Sequence, residues 1–403
     1  MEIKTIETKT FTDIDGVFAG ALCAGIKEGN TTKADLAYIS VPEATASAGV
    51  YTKNKFRAPC LDYSEACLKG GTIKGIIINS GNANAATGSE GYKNAERTAE
   101  IAAKYLRTST HAVAVASTGI IGVQLPMARL EAGLNKLLQN PKQRSGSEVA
   151  TAIMTTDLYK KEIFVEGMVD GKKVAVAGIA KGAGMIAPNM GTMLAFLVTD
   201  ANVSPSLLQQ VLASCVDDSF NMISVDTDTS TNDMALMLST GAVAINEKSE
   251  ATVKEFHALV FAACLDLAKK IARDGEGATK LIETTVVGAA SLEDARIIAM
   301  NIINSPLIKC AVHGADPNWG RVAMAIGKDP SRTVNPALVE IQFGGESVFK
   351  NGAKVDFSRD RLVEHLKSEN VKISVNLNLG SFQATAWGCD LTHEYVNINT
   401  DYS

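Results

Sequence analysis

The sequence predicts a mixed α/β protein, and three observations carry that reading. Short continuous apolar runs, Gly75-Ile-Ile-Ile-Asn79 and Val113-Ala-Val-Ala-Ser117, have the pattern of strands buried on both faces. Other stretches have helical periodicity: Gly91 to Leu106, and Lys254 to Arg273 with Phe256, Leu259, Val260, Ala263, Leu267 and Ile271 at three- and four-residue steps. At 403 residues the chain exceeds the usual size of a single core, so two or three subdomains are expected.

Taken in order, Ala34 to Val41 reads as a strand, Thr45 to Thr52 is rich in small residues, and Ser64 to Leu68 is a short helix. The Gly75–Asn79 strand ends in the polar loop Asn79-Ser-Gly-Asn-Ala-Asn-Ala85, which fits a site or a turn equally. The Val113 strand runs into Thr118-Gly119, and helices follow near Met127 to Leu138 and Ser147 to Met154. Apolar β-like runs cover Val174 to Ile179 and Leu194 to Val198, with a helix from about Ser204 to Ser219 and a strand end at Ile223 to Asp226. Beyond Arg273 the pattern alternates. Strands are expected near Thr284 to Val287, Ile308 to Val312, Val339 to Phe343 and Lys372 to Leu377. Helices are expected near Leu292 to Ile303, Gly320 to Ile326 and Arg359 to Leu366. Past the long helix, Gly275 reads as a C-cap in the left-handed conformation.

Composition narrows the function. Apolar residues make up 46% and charged residues 21%, ordinary for a globular protein. The net charge is −5 with no block of Lys or Arg, which argues against nucleic-acid or anionic-membrane binding. No apolar run reaches the roughly 18 residues that span a bilayer, and the first residues carry charges rather than a signal segment. Seven cysteines, scattered and odd in number, fit reduced thiols and a cytoplasmic location.

The chemistry centres on Lys181-Gly-Ala-Gly-Met-Ile-Ala-Pro-Asn-Met-Gly191-Thr192, between two of the β-like runs. Its glycines, proline and asparagine force tight backbone bends. The stretch fits an ordinary tight connection between two strands as well as a reactive site: a threonine directly after a glycine at a strand start is a candidate nucleophile, but its hydroxyl needs a base. Cutting the chain before Thr192 would supply one, an α-amine with an ordinary pKa of about 7.7–8.0. Thr118-Gly119 reads by itself as a simple strand-to-helix turn or as a place where the glycine lets backbone N–H groups face an oxyanion and the hydroxyl adds a donor.

This segment resembles the self-cleavage segment of the ornithine acetyltransferases, the glutamate N-acetyltransferase family of arginine biosynthesis. The family cleaves itself at an Ala-Thr bond, and the matching bond here is Gly191–Thr192. Gly in place of Ala is still small and able to twist. The resemblance extends from Asn79 to the C-terminus. It implies Thr192 as nucleophile, Thr118 and Gly119 as the oxyanion hole, and Thr155 (with Thr156 as the near alternative), Lys181, Glu276, Asn399 and Ser403 as substrate contacts. Glu276 comes from the match of Gly275-Glu-Gly-Ala-Thr-Lys280, and Asn399 and Ser403 from a tail that folds over the substrate. The implied fold is a layered, N-terminal-nucleophile-type α/β structure. The α chain would span residues 1–191 and the β chain 192–403, with a smaller C-terminal subdomain from about 282. The implied reaction moves acetyl from N2-acetyl-L-ornithine to L-glutamate by ping-pong through acetyl-Thr192. It needs no metal or redox cofactor, and the assembly is two α and two β chains. A bifunctional form would also take acetyl from acetyl-CoA. An N-terminal-nucleophile aminopeptidase or amidohydrolase, and a non-catalytic binding protein, are the remoter alternatives.

Other motifs are set aside. Gly182-Ala-Gly184-Met-Ile-Ala187 fits a dinucleotide fingerprint, but Pro188 opposes the helix it needs. The tract Asp226 to Asp233 lacks the Gly and Glu of a calcium loop and fits a hydroxyl- and acid-rich loop near an amine-bearing substrate or a solvated turn equally. His111, His257, His313, His365 and His393 are dispersed, so no local triad or zinc set appears. His313-Gly-Ala-Asp-Pro-Asn-Trp-Gly320 is read as structural.

Overall fold

A computed structural model of the chain describes residues 2–187 and 193–400. These form two compact units. The first comprises residues 1–182, 188–220 and 229–267, and the second residues 183–187, 221–228 and 268–403.

The first unit has two sheets. One carries six strands in the spatial order Ile3–Thr5, Lys161–Val169, Lys172–Lys181, Leu194–Asn202, Met234–Ala244 and Ala46–Tyr51. The other carries four: Phe18–Leu22, Leu36–Ser40, Gly75–Asn82 and Val113–Ile120. A single apolar cluster draws on both, from Leu36, Ile77 and Val115 in the four-stranded sheet to Phe164, Ile179, Phe196 and Leu236 in the six-stranded one. Residues pointing the other way, such as Val176, Leu197 and Met237, are also fully buried. The central strands therefore read as unbroken apolar runs because both faces are covered.

The register of the six-stranded sheet sets up the site. Lys181 pairs with Leu194 across an antiparallel ladder, and Leu194 pairs with Met234 across a parallel one. The motif between Lys181 and Leu194 thus leaves and re-enters the sheet in one row of residues.

The second unit holds a seven-stranded sheet in the order Ile223–Ser224, Phe382–Cys389, Leu281–Ala289, Asn370–Asn376, Glu340–Phe343, Glu346–Lys350 and Ala353–Lys354. Helices Leu292–Ile303, Pro306–His313, Trp319–Gly327, Arg359–Lys367 and His393–Thr400 belong with it.

Two expectations are corrected. Ile308 to Val312 is not a strand but part of the helix Pro306–His313. Pro306 takes the first helical turn and Ser305 accepts from the Ile308 N–H, which starts a helix before the apolar run can extend. Ile308, Ala311 and Val312 are buried at helical spacing. Nor does Gly275 take the left-handed conformation after the long helix Glu250–Arg273; Gly277 does, at φ 70°. A Cβ on Gly277 would lie 2.6 Å from the Tyr395 backbone nitrogen, so this position packs against the C-terminal helix. The small-residue stretch at 45–52 proves to be the edge strand Ala46–Tyr51, whose alanines and glycine pack closely rather than marking a loop.

Gly119 is the tightest backbone approach near the site. Its φ is 136°, and a Cβ would meet the Gly81 carbonyl carbon at 2.3 Å and the Asn82 nitrogen at 2.4 Å. Both neighbours are main chain and cannot swing away. Gly119→Val is expected to lower unfolding free energy by about 3 kcal/mol or more, measured by urea denaturation. A loss under about 1 kcal/mol would contradict this packing.

Candidate active site

A buried polar cluster lies where the strand Lys172–Lys181 ends. The Lys181 ammonium donates to the Thr155 hydroxyl at 2.7 Å and to the Thr118 hydroxyl at 3.4 Å. Thr118 reaches it from the end of the Val113–Ile120 strand, and Thr155 from the turn after the helix Gly146–Ala152. Of the two adjacent threonines, Thr155 is the one bonded to Lys181.

Asp157 organises this cluster. Its Oδ1 accepts from the Lys161 ammonium at 2.8 Å and from the Gly182 N–H at 2.6 Å. Its Oδ2 accepts from the Thr155 N–H at 3.0 Å and lies 4.0 Å from the Lys181 nitrogen. The Asp157 and Lys161 side chains are fully buried. Burial alone would raise the Asp157 carboxyl. Lys181, Lys161 and the Gly182 N–H outweigh it and hold the group at about 2.

The asparagine-rich loop that follows the Gly75 strand is structural. Asn79 donates to the Asn82 carbonyl and accepts from Ser117, while Asn82 donates to the Val123 and Gln124 carbonyls. Asn84, at φ 46°, donates to the Gly91 carbonyl. These bonds brace the turn that Gly119 packs against.

The second unit assembles its own group. Glu276 is largely buried; its N–H donates to the Ala183 carbonyl at 3.0 Å, and its carboxylate accepts from Asn399 at 2.7 Å. A Cβ on Gly184 would lie 2.4 Å from that carboxylate, so a side chain there would displace the Glu276 carboxylate. Asp226 accepts from the Met185 N–H at 2.6 Å, the Ile186 N–H at 2.8 Å and the Tyr395 hydroxyl at 3.3 Å. Burial pushes the Asp226 carboxyl up against these bonds, and burial with Asp226 beside it raises Tyr395.

The expected site residues are thus placed as two groups. Thr118, Gly119, Thr155 and Lys181 lie in the first unit, and Glu276 and Asn399 in the second. Gly191, Thr192 and Ser403 lie outside the described residues. Sequence reasoning gave no role to Asp157, Lys161 or Tyr395, and left the tract of Asp226 and Asp233 open between a loop near an amine-bearing substrate and a solvated turn. The spacing of Asp157 and Lys161, four apart and leading into an apolar strand, was the signal available. Among the described residues no group of His, Cys, Asp and Glu is arranged to hold a metal ion.

Fold and site together describe a mixed α/β enzyme with a buried ammonium beside threonine hydroxyls. The chain belongs to the ArgJ family, whose model matches residues 18–403. Arginine biosynthesis bifunctional protein ArgJ 1 of Clostridium acetobutylicum is 44% identical, covering 99% of each chain. The ArgJ protein of Dehalococcoides mccartyi is 46% identical over 96% of each. A crystal structure of the ArgJ protein from Bacillus halodurans is 43% identical, with a TM-score of 0.50. That match covers 52% of this chain and 100% of the other.

Asp157→Asn leaves two buried ammoniums without their shared carboxylate. It is expected to cost about 3–5 kcal/mol, read from denaturant midpoints at pH 7. The pH dependence has a definite sign. The folded carboxyl sits below its unfolded value, so its contribution is present above about pH 4 and is lost as pH falls toward about 2. An Asn variant with unchanged stability at neutral pH would show that Asp157 is not the charge holding the cluster.

Proposed function

We propose that the chain is the arginine-biosynthesis acyltransferase of its family, moving acetyl from N2-acetyl-L-ornithine to L-glutamate. One observation carries the reading: Lys181, the first residue of the motif, shares its ammonium with Thr118 and Thr155. A lysine that donates to the Thr118 oxygen leaves the Thr118 hydroxyl proton free to donate onward. That suits Thr118 to an oxyanion, with Gly119 beside it. Removing such a donor typically costs about 3–4 kcal/mol of transition-state stabilisation. The Lys181 charge suits a substrate carboxylate, with Thr155 as its neighbour. In the second unit, Glu276 suits the substrate amine, with Asn399 already on its carboxylate. Ser403 is the proposed contact from the tail.

The nucleophile would be made by the chain itself. The Thr192 hydroxyl attacks the Gly191 carbonyl, the acyl group shifts from nitrogen to oxygen, and water hydrolyses the ester. This gives an α chain of residues 1–191 and a β chain of 192–403. The freed amine then takes the proton of its own hydroxyl as that hydroxyl attacks the acetyl carbonyl. Ornithine leaves, and glutamate takes the acetyl from Thr192. No metal or redox cofactor is required, because exchange of an acyl group between amines changes no oxidation state.

The word bifunctional in the relatives' names favours a second reading, in which acetyl-CoA also donates to glutamate. Activity with acetyl-CoA and glutamate alone would establish it. We propose a cytoplasmic location and an assembly of two α and two β chains. All seven cysteines are free thiols, which supports the location. No single described helix is long and apolar enough to cross a membrane.

Intact mass under denaturing conditions is the first test. Wild type is expected as two pieces, one beginning Thr192-Met-Leu, and Thr192→Ala as one inactive chain. An active, uncut Thr192→Ala protein would sink the scheme. Lys181→Met is expected to raise KM for both amino-acid substrates by about tenfold or more; equal KM values would remove Lys181 from carboxylate binding.

A further inference from the structure

The turn before the strand Met234–Ala244 holds two side chains that the mechanism does not use. Asn232 donates to the Ser117 carbonyl at 2.9 Å and to the Ala83 carbonyl at 2.5 Å. It thereby ties the turn to the residue before Thr118. Asp233 is fully buried, and its Oδ1 accepts from the Met193 N–H at 2.7 Å. The Met193 carbonyl in turn accepts from the Met234 N–H at 3.1 Å. The other oxygen of Asp233, Oδ2, is buried with no hydrogen-bond partner among the described residues. The neighbouring Thr52 hydroxyl donates to the Ser230 carbonyl instead. A buried carboxyl oxygen left bare is costly unless something arrives to use it.

Resting on the self-cleavage reading above, we infer that Asp233 is a positioning residue for the Thr192 α-amine, holding Met193 with one oxygen and receiving the amine with the other. Met193 follows Thr192 directly, so the amine is only three bonds from the nitrogen that Asp233 already holds. Whatever the backbone angles, those two nitrogens lie within about 3.7 Å of each other. The carboxyl is therefore bonded one residue away from the amine that self-cleavage creates.

The protons balance. In the uncut chain the Thr192 nitrogen is an amide and carries no charge. Burial raises the Asp233 carboxyl well above its ordinary value, against the Met193 N–H and the charge of Lys181 on the strand Lys172–Lys181. Burial thus favours its neutral form. When the Gly191–Thr192 C–N bond breaks, the hydroxyl proton goes to the nitrogen and the acyl group to the oxygen. Water then hydrolyses the ester, restoring the hydroxyl and leaving Gly191 as a carboxylic acid, which gives its proton to solvent. The new amine takes the Asp233 proton. A neutral acid and a neutral amine become a carboxylate and an ammonium, so this pair adds no net charge, and the Gly191 carboxylate is the charge that cleavage adds. A carboxylate partner favours the ammonium and raises the amine pKa.

The test compares wild type, Asp233→Asn and Thr192→Ala as full chains. Cleavage of Asp233→Asn is expected to be slower by about tenfold. In the mature variant the acid limb of kcat/KM against pH is expected to fall by about one unit, because the amine has lost the charge that raised its pKa. A purely structural role would slow cleavage without moving that limb, so an unmoved limb overturns the proposal. A wild type that never splits at Gly191 overturns both this proposal and the reading beneath it. A wild type that splits, with an unmoved limb in the variant, overturns this one alone. Should Asp233→Asn give no mature protein, infrared difference spectra of 13C-aspartate-labelled wild type and Thr192→Ala at neutral pH decide. A protonated carboxyl band in the uncut Thr192→Ala chain that is absent from mature wild type supports the proposal. The same band in both overturns it.

Discussion

Two buried ammoniums leaning on one carboxylate are the constraint from which the site follows. Lys161 and Asp157 are fully buried, and Lys181 is nearly so. Burying either charge alone would cost several kcal/mol, and their attraction offsets this only if the geometry is well made. Asp157 meets that demand with four directions of contact: Lys161, Lys181, the Gly182 N–H and the Thr155 N–H. One carboxylate thereby fixes the end of the strand Lys172–Lys181, the turn that carries Thr155, and the first bend of the motif. The Thr118 hydroxyl is placed by the same ammonium.

The motif itself is shared out. Lys181 ends a strand of the first unit and Gly182 follows it there, while Ala183 to Ala187 belong to the second. The hydrogen bonds follow this division. Gly182 donates to Asp157, whereas Met185 and Ile186 donate to Asp226, and the Ala183 carbonyl accepts from Glu276. Each short piece is held by a buried or partly buried acid of the unit it belongs to. This explains the density of small residues better than flexibility does: Gly184 leaves no room for a side chain beside the Glu276 carboxylate.

Much of the architecture was legible because apolar spacing reports burial directly. The helix Glu250–Arg273 and the strands at Gly75 and Val113 were readable since every core residue falls on the expected face. The Ile308–Val312 stretch misled because a five-residue apolar run satisfies either period, and the decisive signals were Ser305 and Pro306 just ahead of it. At the site, Thr118 and Lys181 could be singled out because each stands directly before a glycine, Gly119 and Gly182. Asp157 and Asp233 could not. A charged letter in the sequence looks the same whether it faces water or a lysine, and the tract Asp226 to Asp233 has the composition of a solvated turn. In the structure its three aspartates differ sharply: Asp228 is exposed, Asp226 is mostly enclosed against main-chain donors, and Asp233 is fully buried.

Asp157 and Asp233 answer burial in opposite ways. Asp157 faces two ammoniums and stays ionised far below the ordinary range. Asp233, with no ammonium bonded to it among the described residues and one main-chain N–H on its Oδ1, is raised well above it. The difference is not one of depth, since both are out of contact with water, but of which charges stand beside them. An ionised acid can orient an ammonium that must remain charged to meet a carboxylate. A neutral acid can wait for a base that does not yet exist. Two carboxyls of the same type therefore suit two stages of one proposed cycle, the first poised for substrate and the second for the amine that makes the nucleophile work.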